Sequence, residues 1–502
     1  MTRAEPKPDA RPDKLDAVVW RAAIVVVIGS FMAILDTTVV NVALPALTAE
    51  FHTSFATIHW VVTGYMLALT MAIPVTGWAC DRFGARALYL VAIALFMLGS
   101  ILAATAWSVG SLIAFRVVQG LGAGMLGPAG TTILVKAAGP RRVGRVMGVL
   151  GVPMLLGPIT GPIVGGWLVD AADWRWIFLI NIPISVVAFV LAWRMLPRDE
   201  PESAEPFDFL GMLLLSPGLA LVIFSAVLIA SGTGAAAGWL PGVVGVLGIA
   251  GFLVRATRIG NPLIDLALFK DRTFTISAIG LSIFFVGFLG GGLLYPAYFL
   301  LARGESALQA GLLLVPSSVG AMIAIPMCGL LADKFGPGRV VLSGLVLILP
   351  SLAVFTQVTA ATPYWPLVLA MFVMGLGMGA TMIPLMSAAM LNLTSRQVAR
   401  ASTTLSILQQ ASGAVGAAVL SMILAGSLAG KFGVPTERGQ AAATEAMDHL
   451  STRDAAAALV ADSFATTFAC ALGLVALCLV PAFLLPRRPA PAPVDEPIEV
   501  PA

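Results

Sequence analysis

The sequence predicts an all-α membrane protein made of two pseudo-symmetric six-helix bundles with two further helices inserted between them. Three observations carry that reading. Of the 502 residues, 59% are hydrophobic and only 11% charged, whereas soluble domains carry roughly a quarter charged residues. Apolar runs close to the roughly 20 residues needed to cross hydrocarbon recur fourteen times. Patterns of glycine and charge in the first half of the chain return in the second.

The runs cover residues 22–45, 57–79, 87–107, 110–135, 146–168, 175–196, 209–231, 238–257, 274–301, 308–332, 340–358, 364–391, 402–428 and 463–485. The first is too long for the apolar core of a cleavable signal peptide, so it is expected to be a retained helix. The chain then divides into a polar tail (1–21), a first bundle (22–196), an acidic linker (197–208), an inserted helix pair (209–257), a loop (258–273), a second bundle (274–485) and a disordered tail (486–502). An alanine-rich loop of helical character, 429–462, is expected between the last two spans.

An even number of spans puts both termini on one side. Of the 29 Lys and Arg residues, 23 fall on that side, five on the other and one, Arg116, inside a span. The positive-inside rule places the termini in the cytoplasm.

The repeat is specific. Gly77, Asp81, Arg82, Gly84 and Arg86 follow the second span, and Gly329, Asp333, Lys334 and Gly336 follow the tenth in the same order. Gly120, Gly122 and Gly124 of the fourth span recur as Gly375, Gly377 and Gly379 of the twelfth. The fifth span carries Gly148, Gly157, Gly161, Pro162 and Gly165. Three of those glycines are four apart, so they form one smooth helix face on which a neighbouring helix can sit closely in lipid.

Inside the spans only Asp36 and Arg116 are both ionisable and deep. Asp36 lies nine residues before Pro45, about 13 Å below the outer end, and Arg116 about 9 Å deep at 1.5 Å per residue. The two meet in the outer half of the membrane if the first and fourth spans are neighbours. A charge at mid-bilayer costs about 2.5–3.5 kcal/mol even on forgiving scales, so such residues face a partner or a wet cavity. Gln119 is one turn from Arg116. At the aligned positions of the twelfth span stand Met371 and Met374, which assigns charge chemistry to the first bundle. The four cysteines and three histidines fit no metal site or disulfide framework. No nucleophile–base pair or phosphate loop points to an enzyme.

With these residues in view, the chain resembles the EmrB/QacA-type, 14-helix drug:proton antiporters of the major facilitator superfamily. Five signatures carry the likeness: Leu35 to Pro45 (LDTTVVNVALP), the Gly77–Arg86 segment, Arg116 to Gly120 (RVVQG), the Gly148–Gly165 pattern and Trp174 to Asn181 (WRWIFLIN). It covers nearly the whole chain outside the tails.

The resemblance implies the major facilitator fold and a proton-driven, alternating-access exporter of lipophilic small molecules in the bacterial cytoplasmic membrane. Its coupling ion is the proton, with no other cofactor. Asp36 is the expected proton carrier, with Arg116 and Gln119 beside it. Asp81 is expected at the start of the thirteenth span near Arg400 to Ser402, and Asp333 near Arg141 to Arg145 of the fifth, as gates. Asn41, Tyr65, Tyr295, Tyr298, Met371, Met374, Gln409 and Gln410 are candidate substrate-cavity residues. The expected partners are the lipid bilayer and a lipophilic substrate. The protein is expected to be a monomer without nucleic acid, and a periplasmic adaptor is left open. Some relatives carry a further acid in a later span for dications; this chain has none. Export of a lipid or native metabolite is the alternative on the same fold, followed by a non-transporting scaffold.

Overall fold

The computed structural model describes residues 16–486, apart from 199–205, 231–234, 261, 293, 449–452 and most of 140–170, where 142, 146, 148, 157, 160, 161 and 164–168 are described. Among the described residues there is no strand. Thirteen helices among the described residues are long and apolar enough to span a membrane. The remaining expected span, 146–168, falls largely outside the described residues.

The first bundle contains α1 (Ala17–Glu50), α2 (Trp60–Phe83), α3 (Ala85–Ala104), α4 (Val109–Ala138) and α5 (Trp176–Met195). The inserted pair is α6 (Phe209–Ala230) and α7 (Ala235–Ala256). The second bundle contains α8 (Arg272–Ala302), α9 (Ala307–Phe335), α10 (Pro337–Phe355), α11 (Tyr364–Met390), α12 (Ser395–Phe432) and α13 (Arg453–Ala476), continued by Leu479–Leu484.

Three boundaries differ from the sequence reading. Helix α1 starts inside the expected tail and runs on through Pro45. A membrane helix tolerates such a proline, because neighbouring groups satisfy the freed carbonyl. The segment 429–462 has the helical character expected of it, with a short helix over Gly439–Asp448, but the flanking spans run into it: α12 continues to Phe432 and α13 already begins at Arg453. Hydropathy marks where hydrocarbon ends, whereas alanine-rich sequence keeps the backbone helical beyond it. The Gly77–Arg86 segment is not a loop either, since residues up to Phe83 belong to α2.

A corner replaces that loop, and the repeat is written into its backbone. Gly84 has φ 86° and ψ 143°, and Gly336 has φ 85° and ψ 145°. Each N–H donates back into the helix before it, to Cys80 O and Ala332 O. A side chain is strained in this conformation. Gly84→Ala is expected to lower stability by about 1–3 kcal/mol, read as a drop in thermal unfolding temperature in detergent.

The glycines of the repeat set helix spacing. A Cβ on Gly120 would lie 2.4 Å from Tyr65 O of α2, and one on Gly122 would lie 2.6 Å from Phe96 N of α3. A Cβ on Gly375 would lie 1.9 Å from Ser317 O of α9, and one on Gly377 would lie 2.7 Å from Gly344 O of α10. The fourth helix of each bundle is thus gripped between the second and third by the same device.

Helix α8 widens into π turns at Phe285–Leu289 and Tyr298–Ala302. Directly after the first, Gly290 meets Gly416 of α12, where a Cβ would lie 2.4 Å from the Gly416 carbonyl carbon. The inserted pair is zipped by Gly218 and Gly245, and Arg255 Nε pairs with Asp208 at 2.9 Å. Leu215 and Leu219 of α6 share an apolar cluster with Ile73 of α2 and Ile407 of α12. The pair therefore lies against both bundles.

Candidate functional site: a buried carboxylate and the closed basic end

Five helices bring polar groups to one point inside the first bundle. Asp36 on α1 is 1% exposed and Arg116 on α4 is 0% exposed. Arg116 Nη1 donates to Asp36 Oδ2 at 2.5 Å and to Gln119 Oε1 at 2.6 Å, while its Nε donates to Val61 O at 3.3 Å. Gln119 Nε2 donates to Asp36 Oδ1 at 2.8 Å and to Ser100 Oγ of α3 at 2.7 Å. Asn181 Nδ2, on α5, also donates to Asp36 Oδ1, at 2.8 Å. The Tyr65 ring of α2 lies 4.0 Å from the guanidinium carbon of Arg116.

Each carboxylate oxygen thus accepts from fixed donors, and the guanidinium is neutralised by an acid and an aromatic face. Arg116 Nη2 is buried without a hydrogen-bond partner among the described residues, so the pair depends on its counter-charge and the Tyr65 face rather than on full hydrogen bonding. Removing one partner leaves the other charge uncompensated, at a cost of about 3–5 kcal/mol.

The glycine face of the fifth span packs against α1 beside this acid. A Cβ on Gly157 would lie 2.2 Å from Ile34 Cγ2, one on Gly161 would lie 1.9 Å from Thr38 Oγ1, and one on Gly165 would lie 3.2 Å from Val39 Cα. Thr38 Oγ1 donates to Gly157 O at 3.2 Å. Gly148 faces α9 of the other bundle, near Ile325 O. Pro162 lies outside the described residues.

At the end rich in Lys and Arg the bundles are pressed together. Arg400 Nε of α12 donates to Asp81 Oδ2 of α2 at 3.1 Å. Thr403 sits over Gly77, where a Cβ would meet its Oγ1 at 3.0 Å. Ser402 Oγ donates to Pro128 O of α4 at 2.9 Å and lies 3.0 Å from Thr132 Oγ1. The side chain of Asp333 lies outside the described residues, as do Arg141 and Arg145. Among the other expected gate residues, Lys334 and Arg82 are exposed, Arg86 donates to Trp193 O, and Gly329 belongs to α9.

Tyr295, Tyr298, Met371 and Met374 are enclosed in the second bundle, none more than 6% exposed. Tyr295 donates to Met374 Sδ at 3.0 Å and packs against Phe355 and Phe468, while Tyr298 donates to Thr359 O at 2.8 Å. This pairing of the first and fourth helices is the apolar counterpart of Asp36 with Gln119. Hydropathy along a span does not say which of its faces meets a neighbouring helix, so these contacts were not legible in the sequence. Asn41 is exposed and is not among the partners of Asp36, Tyr65 belongs to the charged cluster, and Gln409 and Gln410 are half-buried on α12.

Sequence reasoning missed Asn181, Ser100 and Thr132 as site residues, whereas Ser402 was expected at the gate. Asn181 was visible as the last residue of a signature, and a lone amide opening an apolar run was the available signal. A small hydroxyl such as Ser100 leaves no such mark.

The comparisons agree with this geometry. The Major Facilitator Superfamily model matches residues 26–417 and, again, 279–501. The chain is 41% identical over 497 residues to a Mycobacterium tuberculosis protein named multidrug resistance protein B homolog, covering 95% of this chain and 92% of that one. It is 33% identical to the putative multidrug resistance protein MdtD of Citrobacter koseri, covering 84% and 88%. The crystal structure of the human organic anion transporter MFSD10 aligns with a TM-score of 0.62 at 16% identity, over 91% of this chain and 99% of that one, a likeness of fold. The chain belongs to the Major Facilitator Superfamily and is a multi-pass membrane transporter.

Proposed function

We propose that the protein is a proton-coupled antiporter that exports lipophilic small molecules across the bacterial cytoplasmic membrane, with fourteen spans and both termini inside. The observation that carries this reading is the Asp36 carboxylate. It is enclosed in the first bundle and held by Arg116, Gln119 and Asn181. A carboxyl group in such a place has a proton affinity set by two opposed effects, burial against a nearby cation and donors. Both depend on helix position, so rocking of the bundles changes the affinity. The multidrug-resistance names of the relatives at 41% and 33% identity favour a lipophilic cargo.

In this scheme the structure is the cytoplasm-closed state, held by Asp81–Arg400 and by Ser402 on α4. Asp36 is out of contact with bulk water in it, so proton exchange belongs to the open states. Cargo enters from the cytoplasm while Asp36 is charged. Protonation from outside favours release, and the neutral carrier returns and sheds its proton inside. The coupling ion is the proton alone, and a monomer suffices because every proposed site lies in one chain.

The test is uptake of a fluorescent lipophilic cation into inside-out proteoliposomes, with and without a pH gradient. Gradient-dependent accumulation is expected; accumulation indifferent to the gradient overturns proton coupling. Asp81→Asn is expected to favour the cytoplasm-open state. A hydrogen bond to a charged group contributes about 1.5–3 kcal/mol, on the order of tenfold or more in the population ratio. The readout is labelling of single cysteines placed in the two vestibules, and an unchanged labelling pattern counts against Asp81 as a gate.

A further inference from the structure

Asn181 holds the one side chain on the Asp36 carboxylate that has a reversible second bonding mode. It is 0% exposed. Its Nδ2 donates to Asp36 Oδ1 at 2.8 Å, and its Oδ1, buried, has no hydrogen-bond partner. An idle buried carbonyl costs about 1–3 kcal/mol, so its retention calls for a reason. The other amide, Gln119, is fully used: Oε1 accepts from Arg116, and Nε2 donates to Asp36 and to Ser100.

The bonding rules change when Asp36 takes a proton. A carboxylate only accepts, whereas a carboxylic acid must also donate its O–H. Oδ1 of Asp36 faces two N–H donors, from Gln119 and Asn181, so a proton there meets no acceptor. Gln119 supplies one only by abandoning Arg116 and Ser100. Asn181 supplies one by turning its amide through half a rotation about a torsion that is broad and roughly two-fold. The other titratable or charged groups facing Asp36 among the described residues are Arg116 on α4 and Tyr65 on α2; α3 and α5 present Ser100 and Asn181.

We propose that Asn181 is a positioning residue that reads the protonation state of Asp36: its amide donates to the carboxylate, then turns so that Oδ1 accepts the O–H of the neutral acid. The proton comes from water in an open state, forms the Asp36 O–H bond, and leaves by the same bond; nothing is oxidised or reduced. The amide stands at the first residue of the Asn181–Met195 helix, just after Ile180 separates it from Trp176–Leu179. Asn181 O accepts from Ser185 Oγ at 2.7 Å, and that hydroxyl lies 3.0 Å from Met32 Sδ of α1.

This inference rests on the proton-carrier reading, and one experiment separates the two. Infrared difference spectra are recorded across a pH titration of the protein in lipid nanodiscs, with asparagine carbonyls carbon-13 labelled. Wild type is expected to show a carboxylic-acid band and, at the same pH, a shifted labelled amide band. In Asn181→Leu the acid band stays and the amide band vanishes, with Asn181→Ala as a second variant should the first fail to fold. Gradient-driven export at acidic outer pH falls about tenfold in both, and its pH profile shifts. An acid band without the amide band in wild type, or an amide band that survives in Asn181→Leu, overturns this proposal alone. Absence of any acid band removed by Asp36→Asn overturns the carrier reading and, with it, this one.

Discussion

Asp36→Asn is expected to abolish gradient-driven export while leaving a folded, monodisperse protein. The substitution keeps the shape of the side chain and one carbonyl oxygen, so Arg116 Nη1 retains an acceptor. It removes the carboxyl group that is proposed to carry the proton, since an amide has no acidic O–H. The cost to stability is the buried Arg116 charge left without its counter-charge, about 3–5 kcal/mol, together with the amide of residue 36 facing the donors of Gln119 and Asn181. One of those, Asn181, can turn. The measurement is cargo accumulation in inside-out proteoliposomes, with thermal unfolding as the control for folding. Asp36→Glu keeps a titratable group with an extra methylene, and is expected to retain gradient dependence at a reduced rate. Full export by the asparagine variant removes Asp36 as the carrier.

Gly161→Leu is expected to stop transport by a different route. The new Cβ alone would lie 1.9 Å from Thr38 Oγ1 and 2.4 Å from Thr38 Cβ, where carbon contacts are comfortable at about 3.5–4.0 Å. The fifth span and α1 must separate by more than an ångström, and the bond from Thr38 to Gly157 O is lost. Thr38 stands two residues from Asp36, so the separation moves the carboxylate away from Arg116 and Gln119. Loss of the α1 contact through overpacking costs about 1–3 kcal/mol; loss of alignment at the ion pair costs the activity. The smaller Gly161→Ala carries the same Cβ conflict, and Thr38→Gly removes the atoms it strikes. The double variant is expected to recover part of the export that Gly161→Ala loses. Normal transport by Gly161→Leu, or no recovery in the double variant, contradicts a close packing role for this face.

The sequence was most legible where cost is concentrated in single residues. One aspartate and one arginine inside apolar runs announced a charged pair, and rise-per-residue arithmetic placed them at compatible depths. The structure joins them at 2.5 Å. The glycines of α4 and α11 announced a repeat, and in the structure Gly120, Gly122, Gly375 and Gly377 each have a backbone atom of a neighbouring helix where a Cβ would be. Repeated motifs announced two related bundles, and Gly84 and Gly336 carry the relation down to matching dihedral angles. Facing directions were less legible. The bond between Tyr295 and Met374 inside a bundle had no mark in the sequence, because apolar spans have no polar stripe to say which side is inward. Asn181 was missed for a related reason: its importance comes from a partner 145 residues away, and the local signal, a lone amide in an apolar run, does not name that partner. Helix ends extended past the hydrophobic runs because backbone hydrogen bonding does not stop at the edge of hydrocarbon.

The central claim is that Asp36 exchanges a proton in step with cargo. Calorimetry of cargo binding to the purified protein, repeated in buffers of different ionisation enthalpy, counts protons released per cargo bound. The account predicts a release that varies with pH in wild type and disappears in Asp36→Asn, with binding itself retained. Equal proton release by the two proteins would contradict it.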